Sequence, residues 1–185
     1  MKQTIIDIIN ETIRKSNCRT RFREPLTGCA PADDPQFYRL REAAHPNHLL
    51  PGEMLPGARS VFAFFLPFDS QLVEKNRKHP YVSREWAEAY VETNQLIKDI
   101  CEEICGYLAD MGFNAAYEQP THNFDSELLL SNWSHKHIAY VCGLGSFGRN
   151  TMLITGGGCA GRFGSLVTDA YLEPSAQTRP LYHPF

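Results

Sequence analysis

The sequence lacks a long apolar run, a close cysteine pair, an excess of one charge and a hydrolase signature. Its longest unbroken apolar stretch, Val61 to Leu66, stops at Pro67, far short of the ~20 residues a membrane span needs. The opening Met1-Lys2-Gln3-Thr4-Ile5-Ile6-Asp7 has no apolar signal core and no small-residue cleavage site, so a soluble, cytoplasmic protein is expected. A formal net charge of −3 gives no overall basic footprint for nucleic acid. None of the six cysteines, Cys18, Cys29, Cys101, Cys105, Cys142 and Cys159, stands in C-x-x-C spacing; they read as structural thiols rather than metal, iron–sulfur or disulfide partners. No Gly-x-Ser-x-Gly and no His-Glu-x-x-His occurs, which leaves the serine hydrolase and zincin readings without support.

What remains is a globular chain of 185 residues, 43% hydrophobic and 21% charged, the length of one domain. Ile5, Ile6, Ile9 and Ile13 recur at helical spacing up to about Lys15, predicting an amphipathic helix. The basic stretch Arg14 to Arg23 reads either as a solvated loop at a helix end or as a handle for phosphate or carboxylate groups. Pro25, Gly28, Pro31 and Pro35 break the next stretch, and Asp34 is placed to cap a short helix around Phe37 to Ala44. His45 and His48 follow in a loop and read as exposed polar groups.

Ser60 to Leu66 is short, apolar and bounded by breakers, the pattern of a strand buried on both faces. From Ser83 to Met111, residues Trp86, Tyr90, Ile97, Ile100, Ile104, Leu108 and Met111 share one helical face, with Ser83 to cap the start and Gly112 the end. A strand is expected over Phe113 to Glu118 and a helix around Leu128, Leu129 and Leu130. Short β-like runs follow at Ile138–Cys142, Thr151–Ile154 and Ser165–Thr168. The class is α/β (α+β), a mixed sheet covered by helices. Residues 1–50 are expected as a helical and irregular segment packed on a core of residues 51–175, with 176–185 as a tail.

Gly143-Leu144-Gly145-Ser146-Phe147-Gly148 matches G-x-G-x-x-G. A dinucleotide site also needs a long helix after the motif, and Thr155-Gly156-Gly157-Gly158 cuts that short. The clustering of glycines from Gly143 to Gly164 points instead to a surface where backbone meets a flat ligand closely. No glycine loop ends in the Gly-Lys-Ser/Thr of a phosphate loop. His135 and His137 cannot jointly hold an ion from a helix, whereas a single histidine beside a pocket suits proton transfer.

Three blocks in order resemble the epoxyqueuosine reductase family. Leu55-Pro56-Gly57-Ala58-Arg59-Ser60-Val61 resembles its entry strand. Ala139 through Gly148-Arg149-Asn150-Thr151-Met152-Leu153-Ile154 resembles its glycine block, with Arg149 where the family usually has lysine. Gly164-Ser165-Leu166-Val167-Thr168-Asp169 through Pro174 resembles the segment that follows. The resemblance implies a nitroreductase-like cobalamin-binding domain of the kind shared with reductive dehalogenases. It places Gly143, Gly145, Ser146, Phe147, Gly148, Arg149, Asn150, Gly164, Ser165 and Thr168 against the corrin.

In that family the corrinoid carries the reductive chemistry while the protein orients substrate and supplies a proton. The nearest match to the family's Asp-Ser-x-Pro acid is Asp125-Ser126-Glu127-Leu128, and Asp125, His135 and Tyr140 are the candidate proton donors. The family's iron–sulfur segment would begin about where this sequence ends at Phe185, so electrons are expected from such a segment or from a redox partner. Two other readings stand beside this one. One is an FMN-binding nitroreductase-like protein with a phosphate clamp from Arg19, Arg21 or Arg149; the other is a non-catalytic binding or assembly module.

Overall fold

A computed structural model describes residues 1–120, 124–125 and 130–175. The elements run α1 (Lys2–Lys15), β1 (Leu26–Pro31), α2 (Gln36–Ala43), α3 (Pro51–Met54), β2 (Ser60–Pro67), α4 (Ser70–Lys78) and α5 (Arg84–Asp110). They continue as β3 (Ala115–Tyr117), β4 (Phe124–Asp125), β5 (Leu130–Ser131), α6 (His135–Val141), β6 (Gly145–Phe147), β7 (Leu153–Thr155) and β8 (Gly161–Thr168). The main sheet has the order β1-β2-β8-β3, while β4-β5 and β6-β7 are separate two-stranded ribbons.

β2 sits inside the sheet and is buried at all eight positions. Alternation along it divides the core in two, because successive side chains leave opposite faces of a strand. Phe62, Phe64 and Leu66 join Ile5 and Ile9 of α1 and Leu96, Ile97, Ile100, Ile104 and Leu108 of α5. Val61 and Ala63 join Phe37 and Leu40 of α2, Trp133, and Ile138 and Val141 of α6. The result is a three-layer sandwich of helices, sheet and helices. No helix among the described residues is long and apolar enough to cross a membrane.

Where the sequence pattern suggests a mixed sheet, every described pairing in the main sheet is antiparallel. Pro31 is paired with Ser60, so the connection through α2 and α3 leaves and re-enters at one end of the sheet. The prolines and glycine expected to break residues 25–31 instead frame β1: it is an edge strand with Pro31 as its last residue, where a missing N–H costs least. Its outer edge is partly covered, because the Ser175 N–H donates to the Cys29 carbonyl and the Cys29 N–H to Ser175 Oγ.

Residues 138–141, expected as a strand, belong to helix α6, and Leu130 lies in a strand rather than a helix. Leu128 and Leu129 lie outside the described residues. His48 is fully buried rather than exposed. The long helix matches its expected span: Ser83 Oγ accepts from the Trp86 N–H at its start, and Gly112 takes φ +83° just past its end.

Candidate active site

α6 is the element that organises the site. It begins behind Ser134 and ends at Cys142, with Gly143 at φ +81° and the Leu144 N–H donating to the Ala139 carbonyl. This is the left-handed glycine stop that turns a chain out of a helix. The chain then enters the β6–β7 hairpin, so the G-x-G-x-x-G run follows a helix and is itself part of a hairpin. A dinucleotide loop requires the reverse order.

The glycines here serve close packing within the chain. A Cβ on Gly145 would lie 2.2 Å from the Ile154 carbonyl oxygen across the hairpin. One on Gly164 would lie 2.3 Å from the Phe64 ring. Ser165 and Thr168 are fully buried in β8. Thr168 Oγ1 donates to the Asn114 carbonyl and accepts from the Ala170 N–H, closing the end of the sheet. Of the expected corrin contacts, Gly164, Ser165 and Thr168 are therefore internal, whereas Arg149 and Asn150 are exposed in the hairpin turn. Ser146 lies in β6 opposite Ile154, and Gly148 follows it at the turn, its N–H donating to the Met152 carbonyl.

Two helix stripes face each other beside that hairpin. Gln36, Arg39, Leu40 and Ala43 recur along one side of α2, and His137 and Tyr140 along one side of α6, as positions three and four apart must. With Glu42 and Phe147 they line a cleft of about 240 Å³. The Phe147 ring lies 4.8 Å from that of His137 and 5.5 Å from that of Tyr140. Lys136 Nζ donates to the Thr151 carbonyl and sits 5.8 Å from the Phe147 ring centre, tying the hairpin to α6.

Two hydrogen-bonded strings lie behind this cleft. In the first, Trp133 Nε1–H donates to Ser165 Oγ at 3.0 Å, and His135 Nδ1 lies 2.8 Å from the same oxygen. Burial, together with the Arg162 charge, pulls His135 down to about 4, with a smaller opposing effect from the Glu118 backbone. In the second, His48 Nδ1 lies 2.8 Å from the Leu49 carbonyl, the Ser134 N–H donates to His48 Nε2, and Ser134 Oγ lies 2.7 Å from His137 Nδ1. Burial first, then the charges of Lys136 and His48, hold His137 at about 4 as well. Both rings are neutral near pH 7.

Ser165→Ala tests the first string. It leaves the Trp133 N–H and His135 Nδ1 without their partner, at a cost of about 1–3 kcal/mol for a buried unsatisfied group. A urea midpoint equal to wild type would show that the string carries no stability.

Of the proton-donor candidates, Tyr140 lines the cleft, His135 lies in the buried string, and Asp125 has its backbone paired with Leu130 in the β4–β5 ribbon. The Asp125 side chain lies outside the described residues. His48, His137 and the α2 stripe are the groups that sequence reasoning missed. The spacing of Gln36, Arg39 and Ala43 marks one side of a helix, but only the fold sets it opposite His137 and Tyr140. Burial pushes the Cys29 and Cys105 thiols up to about 11 and Cys101 well above its ordinary value. Among the described residues no three histidine, cysteine or acidic side chains group as metal ligands.

Helical layers on both faces of a four-stranded antiparallel sheet, with a cleft at one helix–hairpin junction, define an α/β sandwich. Among solved structures that sandwich is the fold of an oxidoreductase, epoxyqueuosine reductase. One such structure, of the selenomethionine-labelled enzyme, aligns at a TM-score of 0.60 and 15% identity over 96% of this chain and 48% of its own. The enzyme from Streptococcus thermophilus aligns at 0.60 and 16% identity over 97% and 49%. The enzyme from Bacillus subtilis, with its catalytic loop swung out of the active site, gives the same values. The chain thus spans about half the length of the structures it matches. No protein-family model and no curated protein matches the sequence.

Proposed function

We propose that this chain is a corrinoid-binding reductase domain whose cofactor rests against the α2–α6–β6 cleft. The observation that carries the reading is the cleft itself, on a fold shared with epoxyqueuosine reductases. A corrinoid has flat apolar faces and an amide-bearing rim. Phe147 and Tyr140 offer aromatic walls, while Gln36, Arg39, Glu42 and His137 offer polar groups beside them. The chemistry of the lining fits. Its volume of about 240 Å³ is below the roughly 300–1,000 Å³ that encloses a whole small ligand, so the cleft takes one edge of the group.

Within this reading a bound corrinoid supplies the reductive chemistry. Phe147 and Tyr140 exclude water from the edge they cover, and the Lys136 strap keeps Phe147 against α6. Tyr140 is the proton-bearing group placed at the cleft, and Asp125 is the further candidate, its backbone paired with Leu130 in the β4–β5 ribbon. His135 acts as a buried strut to Ser165 rather than as an imidazolium donor, since it is neutral at working pH. Electrons come from an iron–sulfur segment or a redox partner.

No observation favours FMN in the same measure. Arg19 and Arg21 line a separate cleft among Asp69, Glu85, Glu88 and Glu92, whereas Arg149 belongs to the β6–β7 turn, so the three form no common phosphate clamp.

Titration with reduced cobalamin, followed by ultraviolet–visible absorption, tests the reading. Saturable binding is expected, read as a concentration-dependent shift of the cobalamin absorption bands. An unchanged spectrum, or saturation by FMN in a parallel series, overturns it.

A further inference from the structure

Three features of the cleft combine into a more specific recognition chemistry. First, the string behind His137 has a defined proton order. The Leu49 carbonyl can only accept, so His48 Nδ1 carries the hydrogen; the Ser134 N–H can only donate, so His48 Nε2 is the bare nitrogen. Both nitrogens of His48 are thus used, and the residue anchors the start of α6.

Second, Ser134 stands at the N-cap position of α6 without making a side-chain cap. Its hydroxyl meets His137 Nδ1 instead. An O–H with one partner is best satisfied by donating, since an idle lone pair costs less than an idle proton. His137 then carries its hydrogen on Nε2, and its ring lines the cleft.

Third, Gln36 Oε1 is buried with no hydrogen-bond partner among the described residues, and Gln36 lines the same cleft. Buried polar atoms are nearly always paired, and this one belongs to a residue of the cleft wall.

We propose that the cleft recognises a primary carboxamide, its carbonyl accepting from His137 Nε2–H and its amino group donating to Gln36 Oε1. His48 and Ser134 are positioning residues that hold the imidazole in one tautomer. An ester, which has no N–H, pairs with His137 alone. Phe147 and Tyr140 add flat walls beside the pair, which suits an amide attached to a planar or ring system. This inference deepens the corrinoid reading, whose ligand has such amides at its rim, but it can be tested without a corrinoid.

The experiment is a nuclear magnetic resonance titration of the full chain with nicotinamide and, separately, with methyl nicotinate. Nicotinamide is expected to shift the His137 ring and Gln36 side-chain amide signals, and the ester to shift them less at equal concentration. In H137F and Q36L the nicotinamide dissociation constant should rise about tenfold, the effect of one lost hydrogen bond. The milder S134A keeps the imidazole but frees its tautomer. Its ring-nitrogen signals should show a mixture of tautomers, and nicotinamide and the ester should both bind more weakly, since each accepts from His137 Nε2–H.

Equal response to amide and ester, or unchanged affinity in both H137F and Q36L, overturns the inference. A single tautomer persisting in S134A removes the positioning role. Absence of cobalamin binding by absorption, with nicotinamide still selected over the ester, sinks the corrinoid reading and leaves the carboxamide site standing.

Discussion

Gly28→Ala is expected to destabilise the chain by about 3 kcal/mol, at the upper end of the usual cost of overpacking. Gly28 lies in β1 opposite Ala63, and a Cβ there would stand 2.3 Å from the Cys142 carbonyl oxygen. The obstacle is backbone at the end of α6, not the tip of a flexible side chain. Relief therefore requires α6 to lift from the sheet or β1 to leave it, and either movement disturbs the cleft that α6 forms with α2. For a chain of this length the thermal midpoint should fall by roughly 6–12 °C.

Gly106→Ala gives the opposite sign from the same chemical change. Gly106 is exposed inside α5, and a Cβ there meets nothing within 4 Å. Alanine in a helix interior gains about 0.5–1 kcal/mol over glycine. Thermal melts of both variants decide the matter. If Gly28→Ala melts with wild type, the contact between β1 and the α6 terminus is slack and α6 is not fixed by it.

These two positions show where sequence reading succeeds and where it stops. α1 and α5 were legible because each has a long apolar pattern that only the helical period satisfies, and β2 because its short, aromatic-rich apolar run is bounded by breakers. Ile138 to Cys142 offered five residues without clear periodicity, and a short buried run fits a helix as well as a strand. β1 was hidden by Gly28 and Pro31, residues that usually end strands. Here the glycine permits contact with α6, and the proline closes an edge strand. α4 escaped notice because it buries none of its residues, so no apolar stripe marked it.

The glycine run illustrates the limit for function. Its letters suggested backbone laid against a ligand, yet Gly145 and Gly164 make room for Ile154 and Phe64 of the same chain. Close approach is visible in sequence; what approaches is not. Phe147 and Tyr140 were legible through the family resemblance, and both line the cleft. The polar wall from α2 was not, because residues 36–43 carry no motif and meet α6 only through the fold.

The second large effect is on stability against pH. His135 and His137 are each held at about 4, against an ordinary 6.5, and His48 is lowered by burial as well. Between those two values the unfolded chain binds protons that the folded chain refuses, so stability rises with pH across the window. The contribution is complete above about pH 6.5 and is lost as pH falls towards 4. One pKa unit corresponds to about 1.4 kcal/mol. Halved to allow for residual hydration of the rings, the two shifts together amount to about 3–4 kcal/mol.

That is a large share of the roughly 5–15 kcal/mol that holds a domain folded. Urea midpoints measured from pH 7 to pH 4.5 should therefore fall steadily, before most carboxylates titrate. Glu53, Glu85 and Glu92 are held below their ordinary 4.5, so their contribution disappears at lower pH and leaves this window to the histidines. His135→Gln combined with His137→Gln should flatten the slope above pH 4.5. A slope that survives the double substitution would assign it to His48, whose bare Nε2 accepts from the Ser134 N–H and must give up that bond to take a proton. A wild-type midpoint constant across the window would mean that the two rings remain hydrated enough to titrate as in the unfolded chain. The hydrogen-bonded strings behind the cleft would then be open to water at neutral pH.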